Sequence, residues 1–123
     1  MLIAGVMTGT SVDAIDVALC EIEQKGNRET VSLLAFASTP FSDDTRTMLL
    51  GVLRGEISLE ALSDLHFELA REYTRAINAI EHTTNLKAKA VAIHGQTLWH
   101  HPPLSTWQAG SGSALSVLLQ RSV

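Results

Sequence analysis

Two rhythms of apolar and polar positions run along this chain, and each predicts its own kind of element. Leu2 to Met7 is an unbroken apolar run, the pattern of a strand buried on both faces. Asp16 to Glu23 reads as a second strand and Thr30 to Thr39 as a third, with the polar, Gly-containing turn Gln24-Lys25-Gly26-Asn27-Arg28 between them. Three strands joined by short turns predict an antiparallel meander. Pro40 closes it, and the spacing then changes to three and four residues. Ser42 predicts an N-cap, with Asp43 and Asp44 in the first turn where the helix dipole favours negative charge. Leu49, Leu50 and Leu53 give that helix an apolar face, and Gly55 is its stop signal. Ser58 caps a longer helix, along which Leu59, Leu62, Leu65, Leu69, Tyr73, Ile77 and Ile80 recur on one side. Lys89 to Ile93 returns to a short strand, and His94 to Pro103 reads as a loop. Ser111 to Leu119 predicts a final helix with Ala114, Leu115, Leu118 and Leu119 inward. The order is three strands, two helices, a strand and a helix, an α/β arrangement.

Composition narrows the class. A chain of 123 residues with 46% hydrophobic content can build one small domain with a core. The formal charge of −4 and the lack of a basic cluster argue against a nucleic-acid partner. Leu2 to Met7 is too short to span a membrane, and the start has no basic n-region of a signal peptide, so the expected location is cytoplasmic. Cys20 is the single cysteine, which excludes an internal disulfide and suits a small buried hydrophobe. His66 and His82 fall on or near the long helix without a second ligand one turn away, so both read as packed or surface residues. No fixed-period repeat or low-complexity tract is present.

Candidate chemistry gathers in two segments. The first is Gly5-Val6-Met7-Thr8-Gly9-Thr10-Ser11-Val12-Asp13-Ala14-Ile15-Asp16. A strand enters a tight turn of Gly and hydroxyl residues, and a second strand leaves it. Such a turn reads either as a plain hairpin with polar turn residues or as a concavity of backbone N–H groups that holds phosphate oxygens. The second is Val91-Ala92-Ile93-His94-Gly95-Gln96-Thr97-Leu98-Trp99-His100, followed by Pro102, Pro103 and Gln108. Neither is a Walker P-loop or a G-x-G-x-x-G fingerprint. A metal site from His94, His100 and His101 lacks a Cys or carboxylate among them.

Together the two segments resemble the N-terminal part of the anhydro-N-acetylmuramic acid kinases, sugar kinases of the actin-like, hexokinase-like superfamily. The family pattern is approximately G-x-M-S-G-T-S-x-D-G-x-D at the start. Later it is approximately H-G-Q-T-x-x-H-x-P with a Gln a few residues on. The resemblance implies the opening of an actin-like (ribonuclease H-like) ATPase domain over residues 1–123, with the rest of the kinase outside this chain. It implies an ATP-dependent enzyme of peptidoglycan recycling that opens the 1,6-anhydro ring of its sugar with water and phosphorylates O6. It also implies a homodimer. By the same resemblance Gly9, Thr10, Ser11, Val12, Asp13, Ala14, Ile15 and Asp16 bind ATP. As carboxylates, Asp13 and Asp16 can engage Mg²⁺, directly or through water.

His94, Gly95, Gln96 and Thr97 offer neutral hydrogen-bonding groups after a separate strand, which suits the sugar rather than the nucleotide; the alternative is a structural loop with one packed Trp. Trp99 and Trp107 are candidates for an apolar wall beside it. Two positions depart from the pattern. Thr8 replaces the usual Ser and keeps its hydroxyl. Ala14 replaces the usual Gly, and if that position needs φ > 0 its methyl costs about 1 kcal/mol or more and weakens ATP binding. In the family, the Asp that activates water lies in an Asp-Phe-Arg stretch further on. No such stretch follows Gln108 here, so no catalytic residue is expected in this chain. The competing reading, of a different class, is a non-catalytic nucleotide- or sugar-binding module.

Overall fold

A computed structural model describes all residues from Met1 to Val123. The elements run β1 (Leu2–Thr8), β2 (Ala14–Lys25), β3 (Arg28–Pro40), α1 (Asp43–Leu53), α2 (Leu59–Thr84), β4 (Ala90–Ile93), β5 (Gln96–His101), β6 (Ser105–Ala109) and α3 (Gly112–Leu119). Four strands form one sheet in the order β3-β2-β1-β4. The first three are antiparallel neighbours, and β4 lies parallel to β1. This is the predicted α/β arrangement, and it agrees with the opening of an actin-like ATPase domain.

Each helix begins where the sequence places a serine. Ser42, Ser58 and Ser111 accept from the backbone N–H groups of Thr45, Ala61 and Ala114, satisfying donors that a helix start leaves unpaired. Helix α2 is the spine. Leu65, Leu69, Tyr73, Ala76, Ile77 and Ile80 on its inner stripe join Ala4 and Val6 of β1 and Ile15, Val17 and Leu19 of β2 in a single core. Leu49 of α1 and Leu115 and Leu119 of α3 complete it.

Several expectations need correcting. Strand β1 is packed on one face only: Ala4, Val6 and Thr8 are buried while Met7 is exposed. The apolar run suggested a strand covered on both faces, but the helices cover one. Gly5, Met7, Asp16, Ala18, Phe36 and Ala92 line an open groove on the other. Leu59, Leu53 and Leu118 are also exposed, because they lie at the edges of their helical stripes. The segment expected to be a loop from His94 to Pro103 contains strand β5, paired antiparallel with β6. Pro102 and Pro103, read as loop signals, occupy the hairpin's turn region, where they interrupt no ladder.

After α3, an ion pair ties the chain down. The Arg121 guanidinium meets both carboxylate oxygens of Glu81 and donates to the Ala88 carbonyl at 2.9 Å. Glu81 also accepts from the Ala88 N–H at 2.8 Å. With both charges fully hydrogen-bonded, burial of the pair is tolerated. Ser122 then bridges to β4 in parallel, accepting from the Val91 N–H at 2.9 Å.

Candidate functional site

The site lies at one end of the sheet, where β1 runs into the Gly9–Asp13 turn and β4 runs into β5. Strands β1 and β4 are parallel neighbours, so their C-terminal ends emerge side by side, the usual location for ligands on open α/β sheets. The two sequence segments, far apart in the chain, therefore meet. The Thr8 hydroxyl donates to the Gly95 carbonyl at 3.1 Å. The Gln96 side-chain amide donates to the Gly9 carbonyl at 3.2 Å and to the Thr97 carbonyl at 3.3 Å. The His94 N–H donates to the Val6 carbonyl at 3.2 Å, extending the β1–β4 ladder by one step.

The first turn is open to solvent. Gly9, Thr10, Ser11 and Asp13 are exposed, and only Val12 is buried. A single internal hydrogen bond, from the Val12 N–H to the Gly9 carbonyl at 3.3 Å, closes the turn. The N–H groups of Thr10 and Ser11 have no partner within the chain, so they and the two hydroxyls are available to an anion. Val12 is anchored in the core with φ at 57°, an uncommon conformation for a β-branched residue. That finding relocates the conformational question raised by Ala14. Ala14 is not among the residues with positive φ and pairs with Pro40 as the first residue of β2. Its methyl group is therefore compatible with the turn.

The second loop is closed. Gly95 and Gln96 are buried, Thr97 is half-buried and His94 is exposed. Gly95 has φ at 78°, and a Cβ there would lie 2.8 Å from the Ala109 carbonyl oxygen, so glycine is required by both conformation and space. Gly110 is confined likewise, with φ at 114° and Tyr73 ring carbon 2.9 Å from where a Cβ would stand. The His94 Nδ1 lies 3.1 Å from the Gly95 carbonyl, a contact that favours the tautomer with hydrogen on Nδ1 and leaves Nε2 as a free acceptor. His66 is a packed residue: its Nδ1 accepts from the Gly110 N–H at 3.0 Å and its ring stacks on Trp107. Trp99 and Trp107 are register partners across the β5–β6 hairpin and both remain exposed, the Trp99 ring meeting His101 edge-on.

Two features lay outside the sequence reading. Arg46 of α1 reaches to 3.9 Å from the Asp13 carboxylate, bringing a cation to the edge of the first turn. No local signal marks it, because its role depends on where α1 docks. Tyr73 stands below the turn. Burial pushes its phenol up to about 12, offset in part by the neighbouring Thr8 hydroxyl, and its oxygen has no well-formed hydrogen bond. Asp13 is exposed beside Arg46, and Asp16 lines the open groove on the far face of the sheet. No three His, Cys, Asp or Glu side chains come together as a metal cluster. No helix is long and apolar enough to cross a membrane.

Comparison with known proteins adds an independent line. The sequence model of the anhydro-N-acetylmuramic acid kinase family matches residues 1–117. The chain belongs to the anhydro-N-acetylmuramic acid kinase family. An anhydro-N-acetylmuramic acid kinase of Acaryochloris marina is 38% identical over 121 residues, covering 94% of this chain and 32% of that protein. One from Microcystis aeruginosa is 40% identical over 122 residues, with the same coverage of 94% and 32%. One from a Sulfurovum species is 38% identical over 120 residues, covering 92% and 32%. This anhydro-N-acetylmuramic acid kinase relative thus spans about a third of the length of the curated proteins it matches.

Proposed function

We propose that the chain is the N-terminal portion of an ATP-dependent anhydro-N-acetylmuramic acid kinase acting in the cytoplasm on cell-wall sugar. The observation that carries this reading is the convergence of the two segments through the Thr8–Gly95 and Gly9–Gln96 hydrogen bonds. A phosphoryl-transfer enzyme needs its phosphate cradle and its acceptor side at one place, and catalysis depends on holding them still.

In this reading the Gly9–Asp16 segment holds ATP. The unpartnered N–H groups and hydroxyls of Thr10 and Ser11 meet phosphate oxygens, and Arg46 adds positive charge at the rim. The exposed turn fits a phosphate chain, since nothing in the molecule occupies those donors. Asp13 is accessible to the waters of a bound Mg²⁺, which supplies charge neutralisation when present. Asp16 lines the groove on the far face of the sheet, which His94 also borders. His94, Gly95, Gln96 and Thr97 form the sugar side, with the His94 imidazole as the outward hydrogen-bonding group. Trp99 and Trp107 stand further along the same hairpin.

The reaction for the whole enzyme is attack of water on the anhydro carbon with opening of the ring. O6 takes the γ-phosphoryl group of ATP, giving N-acetylmuramic acid 6-phosphate and ADP. The water needs a general base, and we assign that carboxylate to a part of the kinase outside this chain. Calorimetric titration of the 123-residue chain with MgATP and with the anhydro-sugar tests binding, and coupled ADP release tests turnover. Binding without sugar-dependent ADP release is the expected result. Turnover on the order of 1 s⁻¹ or faster would overturn the assignment of the base elsewhere. Failure to bind either ligand would overturn the site.

A further inference from the structure

We infer that Gln96 is a positioning residue that fixes the shape of the phosphate turn from the sugar side, an inference that rests on the kinase reading above. Gln96 is the first residue of β5 and is fully buried. Its side-chain nitrogen sits between two carbonyl oxygens, those of Gly9 and Thr97. A primary amide has two N–H donors, and both are engaged. The reverse orientation would set the amide oxygen against two acceptors, so the network fixes which end is which. Gln96 consequently has no donor left for a sugar hydroxyl. Its remaining polar atom, Oε1, is buried and unpartnered within the chain.

The turn depends on this contact more than its neighbours suggest. The Gly9 carbonyl receives two hydrogen bonds, one from Val12 inside the turn and one from Gln96, 87 positions away. Apart from the buried Val12 side chain, the rest of the turn is exposed and makes no other backbone hydrogen bond. Without the Gln96 amide, the Gly9 peptide plane loses its only tertiary tether. The donors of Thr10 and Ser11 must then be ordered at the moment of binding, which lowers affinity. Gln96 thus acts on the nucleotide through Gly9, without touching it.

The test uses the 123-residue chain with Gln96→Ala and the volume-conserving Gln96→Met, which keeps the core filled if the alanine variant unfolds. Amide exchange of Val12 is followed by NMR, with Leu69 to Ile77 of α2 as the internal reference. MgATP affinity is measured by calorimetry in the absence of sugar. We expect Val12 exchange to rise about tenfold, the weight of one hydrogen bond, with α2 unchanged and MgATP binding weaker by a similar factor. Unchanged Val12 exchange overturns the proposal. So does an equal rise in Val12 and α2, which would mean general destabilisation. So does intact MgATP affinity in a variant whose parent binds MgATP. A parent that binds no MgATP, with a Val12 effect confined to the turn, upholds the positioning role and refutes the nucleotide reading instead.

Discussion

The two loops at the candidate-site end of the sheet are built on opposite plans. The turn after β1 presents its backbone: most of it is exposed, and the N–H groups of Thr10 and Ser11 have no internal partner. The connection between β4 and β5 conceals its backbone: Gly95 and Gln96 are buried, and the Gly95 carbonyl accepts from Thr8. Side by side, they show a division of labour. The first loop leaves its donors free, and the second holds it in place through the Thr8–Gly95 and Gly9–Gln96 hydrogen bonds.

Alanine at the two glycines should expose the contrast most strongly. Gly95→Ala forces a left-handed conformation on a residue with a Cβ and drives that atom into the Ala109 carbonyl. A loss of about 2–4 kcal/mol in denaturant unfolding is expected, from conformation and overpacking together. Gly9→Ala meets only Ser11, its hydroxyl at 3.3 Å and its backbone nitrogen at 3.9 Å, and should change stability by less than about 1 kcal/mol. Equal losses at both positions would break the comparison.

Thr8 sits on the boundary between the loops. Thr8→Val removes the donor to the Gly95 carbonyl at nearly constant shape and should cost about 1–2 kcal/mol. Thr8→Ser keeps the hydroxyl and should retain that hydrogen bond. If valine and serine behave alike in thermal unfolding, the hydroxyl is not what joins the two loops.

A third support, the start of α1 that carries Arg46, responds to pH. Burial raises the Glu72 carboxyl, but hydrogen bonds from the Ser42 and Thr45 hydroxyls and the Ser42 N–H, together with Arg75, outweigh it and hold the group below its ordinary value of 4.5. A carboxylate depressed in the folded state contributes stability that is fully present above its unfolded value. That contribution is lost as pH falls through the folded one. Unfolding curves collected from pH 6 down through the acid range should therefore steepen below about 4.5, and Glu72→Gln should flatten that limb. An identical acid limb in the variant would remove Glu72 from the account.

The smallest effect concerns Ala14. Because it lies in extended β2, Ala14→Gly relieves nothing: MgATP affinity should stay level while stability falls by about 0.5–1 kcal/mol. A marked gain in affinity would show that the turn wants a different conformation from the one described.

What the sequence revealed, and what it concealed, follows the range of the interactions. Capping is local, so Ser42 and Ser58 were legible as caps, as was the inner stripe of α2 from Leu65 to Ile80, while Ser111, read as the first helical residue, is the cap of α3. The two candidate segments were visible as residue types, but not the hydrogen bonds between them, which depend on β1 and β4 lying parallel. The hairpin of β5 and β6 was masked because its turn prolines and its histidines look like loop chemistry, while the antiparallel register that builds it joins residues on two strands. The strain at Val12 was invisible for a related reason. A valine says nothing about φ until the core it enters is known. Arg46 gave no signal at all.

The β2–β3 ribbon carries one more consequence. Strand β1 pairs with β2 only between Ile15 and Glu21, and a bulge at Leu19/Cys20 shifts the register of β3. Ile22 still exchanges backbone hydrogen bonds with Met1, but from Glu23 to Lys25 the hairpin runs on with β3 as its only ladder partner. A two-stranded ribbon is marginal by itself, so this overhang should fray long before the sheet does. Its tip lies at the opposite end of β2 from the Gly9–Asp13 turn, roughly 35 Å away at the usual rise per residue. The molecule thus has a loose end and a firm end, and thermal fluctuation works at the one furthest from the Gly9–Asp13 turn.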